Sequence, residues 1–357
     1  YKRTKNSDIP SEKVYRDLLK NLPENAKDEL RNLNRKLLSL QAQCQPPREV
    51  MLDFDDTVCT VFGNQEGSAC GYNPRYHGRA SFKEKVGIIS NTDEITDLTL
   101  ESGKHHSNHN FLEFLESCIA TLPENWYLKR IRADKGFFDQ KNFEYCEDNG
   151  YEYIVKAKMQ KGIQKIIDYI NENPTQYHWA KIDDMFSVTE ITLPLMSWSK
   201  ERRFVIIRKR TFKIEDDEFI SDYEYQAIVT NVDYLTSVEI FHDYNQRCNI
   251  ENKIDELKQG FAFDQNSQLN QKCNELFLLI KMIACNLHNF FKRIILPKDL
   301  HHHEIKTLRR ILYKIPGNIV INGLYKHIRF APNKILERII SYIRDSLSSL
   351  LKKVIYK

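Results

Sequence analysis

A mixed α/β fold is predicted by three features of this 357-residue sequence. Between residues 50 and 157, apolar residues alternate or recur at helix spacing in the order three strands, helix, strand, helix, strand. A β-rich stretch at 176–232 then breaks that order, and helical periodicity dominates before residue 48 and after 262. A chain of this length can bury at least one large core and divide into one to three domains.

Taken in order, helical patterns at 11–22 and 25–42 end before Pro46 and Pro47. Val50, Leu52 and Phe54 then alternate with Met51, Asp53 and Asp55, so both acids leave the strand on one side. Residues 60–82 form a long loop containing Gly63, Gly67, Gly71, Pro74 and Gly78, a length that is commonly functional. Strands at 82–90 and 94–100 flank a turn at Ser90-Asn91-Thr92-Asp93. Phe111, Leu115, Cys118 and Leu122 mark a helix, 128–133 a strand ending at Asp134, and 137–149 a further helix. Tyr151, Tyr153, Val155 and Ala157 alternate as a strand, and Ile163, Ile166, Ile167 and Ile170 mark the next helix. Strand-like runs at 186–193, 203–210 and 222–230 make up the β-rich stretch. Helices over 268–294 and 303–314, an extended stretch at 318–330 and a helix from 334 complete the chain, with no internal repeat. The expected division is an N-terminal helical segment (1–47), a first core part (48–175), a β-rich insertion (176–232), a second core part carrying the site-bearing helix (233–296) and a C-terminal helical region (297–357).

Composition narrows the function classes. The net charge of +4 hides a basic run at 200–210, ordinarily a solvated face but compatible with a polyanionic partner. Eight cysteines without C-x2-C spacing read as free thiols in a reducing cytoplasm rather than a disulfide framework. The longest apolar run, 276–280, is far short of a membrane span, so a soluble protein without a membrane partner is expected. The chain starts at Tyr1 without a signal-peptide pattern, in keeping with an upstream segment.

The most informative cluster is Tyr244, Arg247, Glu251 and Lys258, a Y-x2-R-x3-E-x6-K pattern. On one continuous helix these groups share a narrow polar stripe, beside an apolar stripe of Ile250, Ile254, Leu257 and Phe261. A carboxylate flanked by a phenol, a guanidinium and an ammonium suits a metal ion held beside a phosphate. That chemistry belongs to nucleic-acid strand cleavage.

These residues, with the Asp55-Asp56-Thr57 turn and the 132–137 segment containing Asp134, resemble the DDE transposases of bacterial insertion sequences, in the group called transposase DDE domain group 1. The loop text Gly71-Tyr72-Asn73-Pro74 and Ser81 is similar too, and the resemblance covers about 48–330. It implies a ribonuclease H-like core, whose mixed sheet carries one acid on the first strand, one after the fourth and one on a later helix. Asp55, Asp134 and Glu251 take those places, binding two Mg²⁺ ions for which Mn²⁺ can substitute. Tyr244, Arg247 and Lys258 are implied to hold DNA phosphates. The implied partners are double-stranded DNA, as element ends and target, and a second copy of the chain on that DNA. The implied location is the cytoplasm, at the nucleoid. Asp53 competes with Asp55 for the first metal position, and Asp55 is preferred because the family's first acid sits two residues before Thr or Ser.

Other readings of the same residues remain. Asp53-Phe54-Asp55-Asp56-Thr57 also resembles the nucleophile motif of haloacid-dehalogenase-like phosphohydrolases, with Asp53 attacking phosphorus, Asp55 as acid, and Lys181, Asp183 and Asp184 as later members. A catalytically inactive, DNA-binding transposase relative is a further alternative. Asp134 can simply cap the helix after it. His105, His106 and His109 lie in a polar loop for which the sequence suggests no acidic or cysteine partner, and are read as solvated; 301–303 is an internal histidine run. Trp126, Trp179 and Trp198 read as packing residues.

Overall fold

The computed structural model describes residues 10–355, apart from 196, 197, 199, 216, 217, 324 and 332. Helices α1 (Glu12–Asn21) and α2 (Ala26–Gln43) lead into strands β1 (Arg48–Thr60), β2 (Ala69–Cys70), β3 (Ala80–Ile89) and β4 (Ile95–Ser102). Then α3 (Phe111–Thr121), β5 (Trp126–Ala133), α4 (Gln140–Asp148), β6 (Glu152–Lys156) and α5 (Lys161–Glu172) alternate. Strands β7 (Ala180–Lys181), β8 (Phe186–Pro194), β9 (Glu201–Glu215) and β10 (Glu218–Thr230) follow. The remainder is α6 (Ser237–Gln246), α7 (Asn249–Phe261), α8 (Gln271–Phe290), α9 (Ile305–Leu312), the hairpin β11 (Gly317–Asn322) and β12 (Tyr325–Phe330), and α10 (Lys334–Ile355).

The fold is mixed α/β, built on a large mixed sheet. Its strand order among the described residues is β4-β3-β1-β5-β6-β10-β9-β8-β7, with β2 also on β3. Strand β1 runs antiparallel to β3 and parallel to β5, which runs parallel to β6. The β-rich stretch is not a detached layer: β10 pairs antiparallel with β6 through Ile228↔Lys156, Val229↔Val155 and Thr230↔Ile154, so its strands extend the same sheet.

Alternation along the strands sorts residues between two covered faces. On one face Leu52 and Phe54 of β1 join Phe111, Phe114 and Leu115 of α3, Phe143 of α4 and Ile163, Ile166, Ile167 and Ile170 of α5. Each fully buried aliphatic or aromatic side chain there contributes about 1.5–3 kcal/mol. On the other face Ile250, Ile254 and Leu257 of α7 pack with Val86, Ile88 and Leu98 and with Leu278, Leu279 and Met282 of α8. The apolar stripe expected on α7 is thus in the core, with Phe261 at its partly buried margin. Helix α2 docks through buried Asn34, whose amide donates to the Ile95 and Thr96 carbonyls while its oxygen accepts from Asn286 of α8. The first nine residues of the expected 1–47 segment lie outside those described.

One local expectation is corrected. Tyr244 to Lys258 do not lie on one continuous helix, because α6 ends at Gln246 and α7 starts at Asn249. Across the break, Arg247 and Cys248 donate to the carbonyls of Tyr244 and Asn245, three residues back, and Ile250 and Glu251 to those of Arg247 and Cys248. This tightening rotates the chain more per residue than an α-helix does; Tyr244, Arg247 and Glu251 still line one cleft, while Lys258 lines another.

Candidate active site

Sheet register brings two of the expected acids together. Phe54 of β1 pairs with Ala133 of β5, so Asp55 and Asp134 are the next residues along two adjacent parallel strands, whose spacing is about 4.8 Å. Beyond this point β5 ends while β1 continues alongside β3 alone, opening a notch at the end of the parallel pair. Crevices at the carboxyl ends of parallel strands are where open α/β sheets bind ligands.

Asp134 does serve as a cap: its Oδ1 accepts from the Gly136 amide at 2.7 Å, at the start of the short 3-10 turn Lys135–Phe137. Glycine is needed there because a Cβ at 136 would lie 2.7 Å from Ser107 and 2.8 Å from Asp134 Oδ1. Asp134 also lines two clefts. One, of 810 Å³, includes Asp56, Arg75, Lys83, Lys135 and Lys258 in its walls. The other, of 440 Å³, is walled by Lys135, Lys156, Tyr244, Arg247 and Glu251 among others. Four cations and three acids in the first cleft, and three cations and two acids in the second, suit a polyanion with a counter-ion at its centre.

Asp55 is mostly buried and points to the α6–α7 side of the sheet. Its Oδ2 meets Arg247 Nη1 at 3.2 Å, and Arg247 Nη2 lies 3.5 Å from Glu251 Oε1. Burial is the main cause that pushes the Asp55 carboxyl up to about 7; Arg247 opposes it, and the charge of Asp134 adds to it. Burial likewise pushes up Asp56, against the pull of Ser107 and Lys83. Asp56 Oδ2 is buried without a hydrogen bond, its nearest cation being Lys83 at 3.6 Å. A notch holding three crowded carboxylates, one with an orphaned oxygen and one pressed toward its neutral form, fits a divalent cation. The three expected ligands do not yet converge on one point: Glu251 is 66% exposed, and Asp55, Asp134 and Glu251 are not a group with ligand atoms within 4.8 Å of one another.

Tyr244 is buried beside Ile240 and Phe241, and burial raises its phenol further. Its ring lies under the Arg247 guanidinium, 5.6 Å from the centroid, so it positions that cation. Lys258 is partly exposed on the rim of the larger cleft, 3.7 Å from Asp255. Asp56 and Lys135 join the site without having been expected there. They flank expected acids, and adjacency to Asp55 and Asp134 was the available signal.

Asp53 is separated from this chemistry. Arg132 holds it bidentately, Nε to Oδ1 at 2.7 Å and Nη2 to Oδ2 at 2.8 Å, and the guanidinium is fully buried. The phosphohydrolase alternative fails on topology. Lys181 is on β7, six strand steps from β1 and so about 28 Å across the sheet, where it pairs with exposed Asp184. Asp183 is used in its own turn, accepting from Met185 and Phe186 amides. Trp126 is buried under Arg48, and Trp198 packs on Phe138, Phe143 and Phe204, in keeping with packing roles.

The sheet order and the acidic notch delimit a candidate site, and comparison supplies the family. The chain belongs to the family described as Transposase DDE domain group 1, which matches residues 3–352. No curated protein matches it. Among solved structures, a cryo-EM structure of the piggyBac transposase synaptic complex with hairpin DNA is similar at 11% identity and a TM-score of 0.39, over 84% of this chain and 57% of that one. This chain therefore spans less than two thirds of that protein's length. No helix among the described residues is long and apolar enough to cross a membrane.

Proposed function

We propose that this transposase cleaves and transfers strands of double-stranded DNA by cut-and-paste, as an insertion-sequence enzyme acting as a homodimer on element ends and target. The core is ribonuclease H-like, and Asp55, Asp134 and Glu251 hold two Mg²⁺ ions, for which Mn²⁺ can substitute. The order β4-β3-β1-β5-β6, with β1 central between antiparallel and parallel neighbours, supports the fold reading. The single observation that carries the site is the register that sets Asp55 beside Asp134 where β5 stops.

The reaction is an in-line displacement: a water or 3′-hydroxyl oxygen bonds to phosphorus as the bond to the leaving oxygen breaks. Bound divalent ions supply activation of the attacking oxygen and stabilisation of the leaving one. The chain's own residues do the rest. Asp55 must be ionised to act as a ligand, and Arg247 now neutralises it. Once Asp55 has another cation, the Arg247 guanidinium is free to hold a DNA phosphate, with the Tyr244 ring fixing its direction. Lys258, Lys135 and Lys156 line the clefts through which the backbone would track.

The test is cleavage of a plasmid carrying the DNA that flanks this coding sequence, with Mg²⁺ or Mn²⁺. Wild type should cut, while Asp55→Ala and Asp134→Ala should bind DNA without cutting. Preserved cleavage in either variant would remove that residue from the site; a wild type that binds but never cuts would favour the inactive DNA-binding alternative.

A further inference from the structure

On the sheet face opposite Asp55, the end of β4 and the loop from it to α3 bring together Glu101, His105 and His109. Their ligand atoms all lie within 4.8 Å of one another. The sequence reading of these histidines as solvated and without an acidic partner is thereby corrected: Glu101, four residues before His105, is that partner. Glu101 Oε2 lies 3.0 Å from His109 Nδ1 and 3.5 Å from His105 Nδ1. The imidazoles stack with centroids 3.8 Å apart, and His105 Nδ1 is buried without a hydrogen bond.

We propose that Glu101, His105 and His109 bind one Zn²⁺ ion, which fastens this loop and so holds Ser107 beside Asp56 at the edge of the active site. Zinc bonds of 2.0–2.2 Å in a tetrahedron set neighbouring ligand atoms ~3.3 Å apart; the two carboxylate–imidazole separations bracket that spacing, and the imidazoles, stacked with planes 22° apart, must turn to aim both in-plane lone pairs at one ion. Two imidazoles and one carboxylate favour zinc over Mg²⁺ and leave a fourth position for water. The geometry also has its outer support. Lys85, fully buried, donates to Glu101 Oε1 at 2.9 Å and to the His109 carbonyl, leaving Oε2 turned to the imidazoles. Lys85 and nearby Lys104 oppose a cation here. Between the two histidines, Ser107 packs where a Cβ on Gly136 would go, and it lines the larger cleft together with Asp56 and Asp134. The loop thus joins this cluster to the turn that carries Asp134.

The test is calorimetric titration of the metal-stripped full chain with Zn²⁺ in excess Mg²⁺, alongside visible spectra with Co²⁺. Expected are one zinc per chain, intense tetrahedral Co²⁺ bands, and a zinc-dependent rise in Tm. His105→Ala/His109→Ala should weaken zinc binding by at least about tenfold. Asp134→Ala and His302→Ala/His303→Ala should keep it, which separates this site from the catalytic acids and from the histidine run. Should the double variant not fold, Glu101→Gln gives the same reading. Absence of zinc binding by wild type, or undiminished binding in the folded ligand variants, would overturn the proposal.

Discussion

Two arginines on the same side of the sheet meet two acids of the same strand, with opposite results. Arg132 is saturated: it clamps Asp53 bidentately, donates from Nη1 to Asp243 Oδ1 at 2.8 Å and to the Asp243 carbonyl at 2.7 Å, and bonds Ser90. Arg247 makes single contacts of 3.2 and 3.5 Å to Asp55 and Glu251, and its Nε is buried without a partner. The first pair is sealed between β5 and α6; the second opens toward a cleft. Two residues of separation on one strand therefore divide a clamped, structural carboxylate from the one proposed to bind metal. The difference lies in how many donors each acid meets, not in which way it points.

The comparison breaks most sharply in activity. Asp55→Ala should abolish metal-dependent DNA cleavage and keep a native circular dichroism spectrum, whereas Asp53→Asn should retain cleavage wherever it folds. Stability should show the reverse ranking. Asp53→Ala leaves the Arg132 charge partly uncompensated in the core and should cost about 3–5 kcal/mol in denaturant unfolding. A loss under about 1 kcal/mol, the average for point mutations, would deny Asp53 its structural role. Arg247→Ala should act on DNA: the slope of log affinity against log salt should fall by about 1, with binding weakened uniformly across sequences. An unchanged slope would leave Arg247 without a phosphate.

The smallest effect sharpens the contrast through pH. Folded Asp55 sits at about 7, above an unfolded value of about 3.9. The folded, metal-free chain therefore binds this proton more tightly than the unfolded one. That contribution to stability is complete below about pH 4 and is lost as pH rises through about 7. A cation needs the ionised acid, so Mg²⁺ should raise Tm more at about pH 8 than at about pH 5.5. Equal shifts at both pH values, measured by calorimetry, would count against Asp55 as a ligand.

Much of this was legible in local pattern. Alternation at Val50, Leu52 and Phe54 placed Asp53 and Asp55 on one face, and the spacing of Ile250, Ile254 and Leu257 gave the buried side of α7. What could not be read depended on partners far away in sequence. Nothing near Asp53 announces Arg132, 79 positions on, although its neighbour Asp134 stood out. The continuation of the sheet from β6 to β10 is a long-range pairing that alternation cannot specify. The break at Arg247–Cys248 has no Pro or Gly to mark it, and helix periodicity on either side hides it. Glu101 was visible four residues before His105, but the strand end that turns it toward the loop was not.

The most direct measurement is the anomalous signal of Mn²⁺ soaked into crystals of the full chain. A manganese peak coordinated by Asp55 and Asp134, with Asp53 still clamped by Arg132, is the predicted result. Manganese bound to Asp53, or no peak at Asp55 in a saturating soak, would contradict the division between the two acids.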